Sequence, residues 1–175
     1  MDPSEYVPER PEPVQTPFTG LRVKYGSASD VDTLVAALLA DVGDRPVPVD
    51  EIARTTGGWA DYERAVGAYA GPSGFMLFAT LDHGGWITKA GIDTRVLRVV
   101  IGNPLIAITM MRHDVTAGLF APVELLLTEE AGGRSALTYV VPSSLMVVEP
   151  NPPLLAAARE LDDKLAALAR AVTSH

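Results

Sequence analysis

Between Pro122 and Pro142 the chain carries the pattern that most restricts its fold. Val123 to Thr128 and Ser135 to Val141 are rich in strand formers. They are joined by Glu129-Glu130-Ala131-Gly132-Gly133-Arg134, whose paired glycines suit a turn. Six connecting residues are too few for a crossover, so the two runs pair antiparallel. Any sheet in this protein is therefore built at least partly from hairpins. Three more runs read as strands. Leu21 to Tyr25 alternates apolar and charged residues, Phe75 to Leu81 is apolar on both faces except Thr80, and Arg95 to Ile101 is valine-rich.

Helices are expected at both ends. Ser29, with Asp32 three residues on, reads as a capping box for a helix whose inner face is Val31, Leu34, Val35, Leu38 and Val42; Gly43 stops it. Asn151-Pro152-Pro153 starts a long helix with Leu154, Ala158, Leu161, Leu165, Leu168 and Val172 on one side. Between Pro46 and Gly74 lies a helical insert. Asp50 is expected to cap a short turn through Ile52, and Trp59, Tyr62, Val66 and Tyr69 recur at helical spacing over Trp59 to Ala70. Gly102-Asn103-Pro104 predicts a short helix capped by Asn103 and opened by Pro104, and Asp114 suits the cap of one more turn. The fold class is thus α+β. It reads as β-α-β(4)-α, an antiparallel sheet with helices on one face plus a helical insertion at 46–74.

Composition narrows the function. The chain has 175 residues, enough for one domain with a sizeable core. It has no cysteine, which removes disulfides, thiolate metal sites and cysteine nucleophiles together. A net charge of −8, with no basic cluster, argues against nucleic acid and anionic membrane surfaces as partners. The most apolar stretch, Val99 to Met111, is interrupted by Gly102-Asn103-Pro104 and does not read as a membrane span. Residues 1–19 hold Pro3, Pro8, Pro11, Pro13 and Pro17 among acidic residues. They read as a disordered tail and not as a secretory signal, ahead of a single domain at 20–175. The expected location is cytoplasmic.

In order along the chain, Phe75 to His83 ends an apolar strand in Asp-His, Lys89-Ala90-Gly91 follows, and Val96 to Pro104 ends a valine-rich strand in Gly-Asn-Pro. Pro122 to Thr128 gives a strand after proline, and Tyr139 precedes Pro142-Ser143. With Leu21 to Gly43 matching in type, this series resembles the bacterial and archaeal domain of unknown function numbered 302. The insert and the terminal helix read as additions to that family's basic domain. The resemblance implies a fold similar to half of a TATA-box-binding protein and a homodimer. It implies no activity, and DNA binding does not follow from such a fold.

Asp82-His83 ends a strand, where functional side chains often emerge, and imidazole can act as base, shuttle or ligand. Gly84 and Gly85 leave room beside it and Trp86 follows. Gly102-Asn103-Pro104 puts free helix amides beside a glycine, a geometry that serves either an anion or a plain Asn-capped turn. His113-Asp114 repeats the Asp-His chemistry, but its spacing from Asp82-His83 defines no metal site, and none is assigned. Glu124, alone in an apolar strand, is expected to face water. No nucleophile elbow, phosphate loop, dinucleotide fingerprint or zinc-protease helix is present. The expectation is a homodimeric small-molecule-binding domain with Asp82, His83, Trp86 and Asn103 as ligand-binding residues and no cofactor assigned. The alternatives are an enzyme using Asp82-His83 as acid and base on a small substrate, and a protein-interaction module.

Overall fold

The structure, a computed structural model, describes residues 12–174. Residues 12–20 have no regular structure, and residues 1–11 of the expected tail lie outside the described residues. Strand β1 (Arg22–Ser27) leads to helix α1 (Val31–Val42), followed by α2 (Val49–Thr55) and α3 (Trp59–Gly67) of the insert. Strands β2 (Met76–Asp82) and β3 (Val96–Gly102) flank α4 (Gly84–Ile87) and a 3₁₀ turn at Thr88–Ala90. Helix α5 (Pro104–Met111) and a second 3₁₀ turn (Val115–Leu119) lead to β4 (Val123–Glu130), β5 (Arg134–Val140), α6 (Pro142–Met146) and α7 (Pro152–Thr173).

The five strands form one antiparallel sheet in the order β1-β5-β4-β3-β2. The sheet is α+β in class, as the sequence predicts. Because side chains alternate across a strand, pairing assigns each residue a face. The inner face presents Tyr25 opposite Leu137, Leu137 opposite Leu127, and Leu125 opposite Val99. Helices α1 and α7 cover it. Leu34, Leu38, Leu125, Leu127, Leu137 and Leu165 are all buried there. Each such side chain contributes about 1.5–3 kcal/mol when fully removed from water. The insert builds a smaller cluster in which Ile52 of α2 and Val66 of α3 meet Met76, whose neighbour Leu77 belongs to the main core.

Local details depart from expectation at three places. Helix α1 is capped by Asp30, whose Oδ1 accepts the Thr33 amide at 2.7 Å. The hydroxyl of Ser29 is instead bonded to that of Ser27 at 2.8 Å, and so it is not the cap. Accepting the Thr33 amide also holds the Asp30 carboxyl below its usual range. Helix α2 starts before Asp50, because the amides of Glu51 and Ile52 both bond the Pro48 carbonyl; no side chain caps it. Helix α3 ends at Gly67, and Tyr69 and Ala70 continue only as turns bonded to Val66 and Gly67. The Asn103, Asp114 and Asn151 caps form as expected, each accepting an amide two or three residues on.

Gly71 joins the insert to β2. Its amide bonds the Phe75 carbonyl at 2.8 Å, and a Cβ added there would stand 1.8 Å from the Asp41 carbonyl oxygen at the end of α1. Relief would have to come from backbone. Gly71→Ala is therefore expected to destabilise the fold by about 1–3 kcal/mol or more, read from the urea midpoint. An unchanged midpoint would show that this junction is loose.

Candidate functional site

The sequence-predicted residues fall into two places. Asp82 and His83 lie where β2 ends, opposite the start of β3: Asp82 pairs with Leu97, and the His83 amide bonds the Val96 carbonyl at 2.9 Å. Asn103 follows the far end of β3. Seven strand residues separate the two ends, so they stand about 20 Å apart. Asn103 and His83 therefore do not stand together. The Asn103 side chain is committed to structure. Its Oδ1 accepts the Leu105 amide and its Nδ2 donates to the Gly74 carbonyl, both at 2.8 Å. It does border a small apolar cavity of about 170 Å³ between Phe78, Met110 and Pro122.

At the other end, the Asp82 carboxylate accepts the Gly85 amide at 3.1 Å and so caps the turn into α4. No hydrogen bond joins it to the His83 ring. That ring stands edge-on to Trp86, 6.0 Å between centroids, and has no side-chain hydrogen bond among the described residues. Trp86 is mostly exposed. His113 is also exposed, and its carbonyl accepts from Asn151. The Asp114 carboxylate is held below its usual range by the Thr116 hydroxyl and amide. Among the described residues no three His, Asp or Glu side chains converge as a metal site.

A concavity lies on the sheet face that α1 and α7 leave open. One cross-strand row on that face runs Leu81, Arg98, Leu126, Thr138, Lys24. Val100 stands opposite Glu124, and Val140 opposite Arg22. The strand ends at 122, 140 and 22 lie at the same edge. There Leu119, Phe120 and Pro122 stand beside the floor with Pro142 and Leu145. Together they enclose a groove of about 570 Å³, within the range of small-molecule sites. The segment entering β1 closes in beside it. The Phe18 ring lies edge-on to Phe120 at 6.1 Å, and a Cβ on Gly20 would touch Leu145 and Val140.

Charges on this face are mostly matched. Arg98 pairs with Glu124, which faces solvent as expected, and Lys24 bonds Glu130 at 2.7 Å. Arg22 lines the groove and has no acidic partner among the described residues. Tyr139 points to the helix side, where it stacks on Tyr25; burial, then the bond to Tyr25, pushes its hydroxyl pKa well up. Sequence reasoning singled out Glu124 but missed Arg22, Arg98, Leu126 and Thr138. The available signal was Arg98 amid the valines of β3 and Glu124 before the leucines of β4, which together mark an open face.

The fold and groove thus define a one-sheet α+β domain with one helical face and one concave open face. The family model described as domain of unknown function DUF302 matches residues 52–172. The chain belongs to the DUF302 family. The match takes in most of the insert and nearly all of α7, so these belong to the family's domain and are not additions to it. The crystal structure of an uncharacterized conserved DUF302 protein from Bacillus stearothermophilus is similar, with a TM-score of 0.61 at 15% identity. The likeness covers 87% of this chain and 98% of that one. No curated protein sequence matches the chain. Among the described residues no helix is long and apolar enough to cross a membrane.

Asn103→Ala would strand the Gly74 carbonyl and the Leu105 amide. It is expected to cost about 1–3 kcal/mol in a denaturation experiment. His83→Ala, which breaks no hydrogen bond of the ring, is expected to cost about 1 kcal/mol or less. The reverse order of the two would overturn these assignments.

Proposed function

We propose that this chain is a small-molecule-binding domain that works as a homodimer, and that the groove on the open sheet face is its ligand site. The observation that carries the reading is the groove itself. It has a mostly apolar lining, an arginine without an acidic partner among the described residues, and a volume suited to a metabolite-sized molecule. Leu126, Thr138 and Val140 are only half-buried, so a ligand there would remove apolar surface from water. Leu119 is 78% exposed in the groove's lining, and such an exposed apolar side chain favours a second copy that covers it.

A second reading keeps the site at His83 and Trp86, with Asp82 beside them. The observation in its favour is a half-exposed imidazole whose ring has no hydrogen bond, next to a broadly exposed indole. A base or ligand contact needs such a free ring.

Native mass spectrometry of the purified full chain separates these readings. A bound small molecule is expected on the wild type. It should be lost in Thr138→Trp, which fills the groove, and kept in His83→Ala. Loss in His83→Ala alone, with the fold intact by circular dichroism, would move the site to the histidine. An unchanged adduct in both variants would sink both readings. Sedimentation at micromolar concentration is expected to give twice the 18.6 kDa chain mass, and Leu119→Asp should shift it toward monomer. A monomeric wild type would refute the dimer.

A further inference from the structure

We infer that the groove takes a monocarboxylate with an apolar body, its carboxylate held by Arg22 and Thr138; this rests on the groove being the ligand site. The charge balance on the open face selects the sign. Of its four cations, Arg98 is matched by Glu124, Lys24 by Glu130, and Arg134 stands opposite Glu130 outside the groove, leaving Arg22 as the groove's cation without an acidic partner among the described residues. No carboxylate is left over to hold a cationic ligand, because the groove's one acid is bound to Arg98. One unmatched arginine suits one negative charge, whereas a phosphate-rich ligand would call for several.

Position supports the same end of the groove. Arg22 stands opposite Val140, and Thr138 lies two residues back on β5, on the same face. Such diagonal neighbours stand about 7–8 Å apart, within joint reach of one carboxylate through the long arginine side chain. The Thr138 hydroxyl is half-buried and makes no side-chain hydrogen bond among the described residues. It is free to donate. The guanidinium fork matches a carboxylate in two parallel bonds, which a hydroxyl or amide cannot reproduce. From that anchor the floor runs over Val140 and Leu126, beside the closed Arg98–Glu124 pair, toward Phe120 and Leu119. The ligand body is therefore apolar and extends from one end.

Calorimetric titration of the full chain with decanoate, 1-decanol and decylamine tests this. Decanoate is expected to bind about tenfold or more tightly than decanol, the size of one charge-assisted contact. Arg22→Gln should erase that preference and leave decanol affinity unchanged, and Thr138→Val should reduce it in part. Arg22 is exposed, so the variant folds; its melting temperature checks this. Equal binding of decanoate and decanol, with Arg22→Gln indifferent, would overturn the carboxylate assignment and leave the groove standing. Preference for decylamine would overturn it too. No binding of any of the three, or binding that Thr138→Trp leaves untouched, would overturn the groove as the site as well.

Discussion

The packing of α1 and α7 against one face of the sheet is the contact on which the other features depend. It takes Leu34, Leu38, Leu161, Leu165 and the inner leucines of β4 and β5 out of water together. With two helices laid on one side, the other face needs no complete cover for the domain to hold. That asymmetry is what leaves a concave, half-buried surface over β4 and β5. In a sheet covered on both sides, Arg22, Arg98 and Glu124 would be buried charges, each costly unless paired. Here they sit at the boundary with water, where an unmatched arginine is tolerated and remains available.

Much of the fold was legible because local and long-range signals agreed. The hairpin from Val123 to Val140 needed only its glycines and its β-branched and leucine-rich runs. Asn103-Pro104 and Asn151-Pro152 each combine a capping side chain with a proline at the first helical position, so those starts hold despite the β-branched residues of α5. Where two capping residues stood together the signal failed. Ser29 and Asp30 are both good caps, and only the bond of Ser29 to Ser27 decides between them. The site was harder still. Asp82-His83-Gly-Gly-Trp and Gly-Asn-Pro look alike as strand-end motifs, yet the strand between them holds them apart. A groove formed by alternate residues of four strands has no motif, because no two of its floor residues are adjacent in sequence.

The floor and the walls differ in character. Leu126, Thr138 and Val140 belong to paired strands whose backbones are fixed by ladder bonds on both sides. The walls come from short turns, the one at 115–119 and α6, tied to the sheet by few bonds such as that from the Leu21 amide to the Ser144 hydroxyl. Turns of this kind open more readily than central strands. A ligand would therefore meet a rigid base and adjustable sides.

The outer edge of β2 closes the sheet opposite β1, and edge strands invite other chains to add on. Three features blunt this one. Val47 donates its amide to the Leu77 carbonyl at 2.9 Å, occupying part of the edge from within the chain. The register then shifts between Leu77 and Ala79, so the edge bends instead of running straight. Asp82 places a carboxylate at its exposed end. Only a short stretch around Thr80 and Leu81 stays open to a neighbour. That is too little for this edge to template a growing ladder.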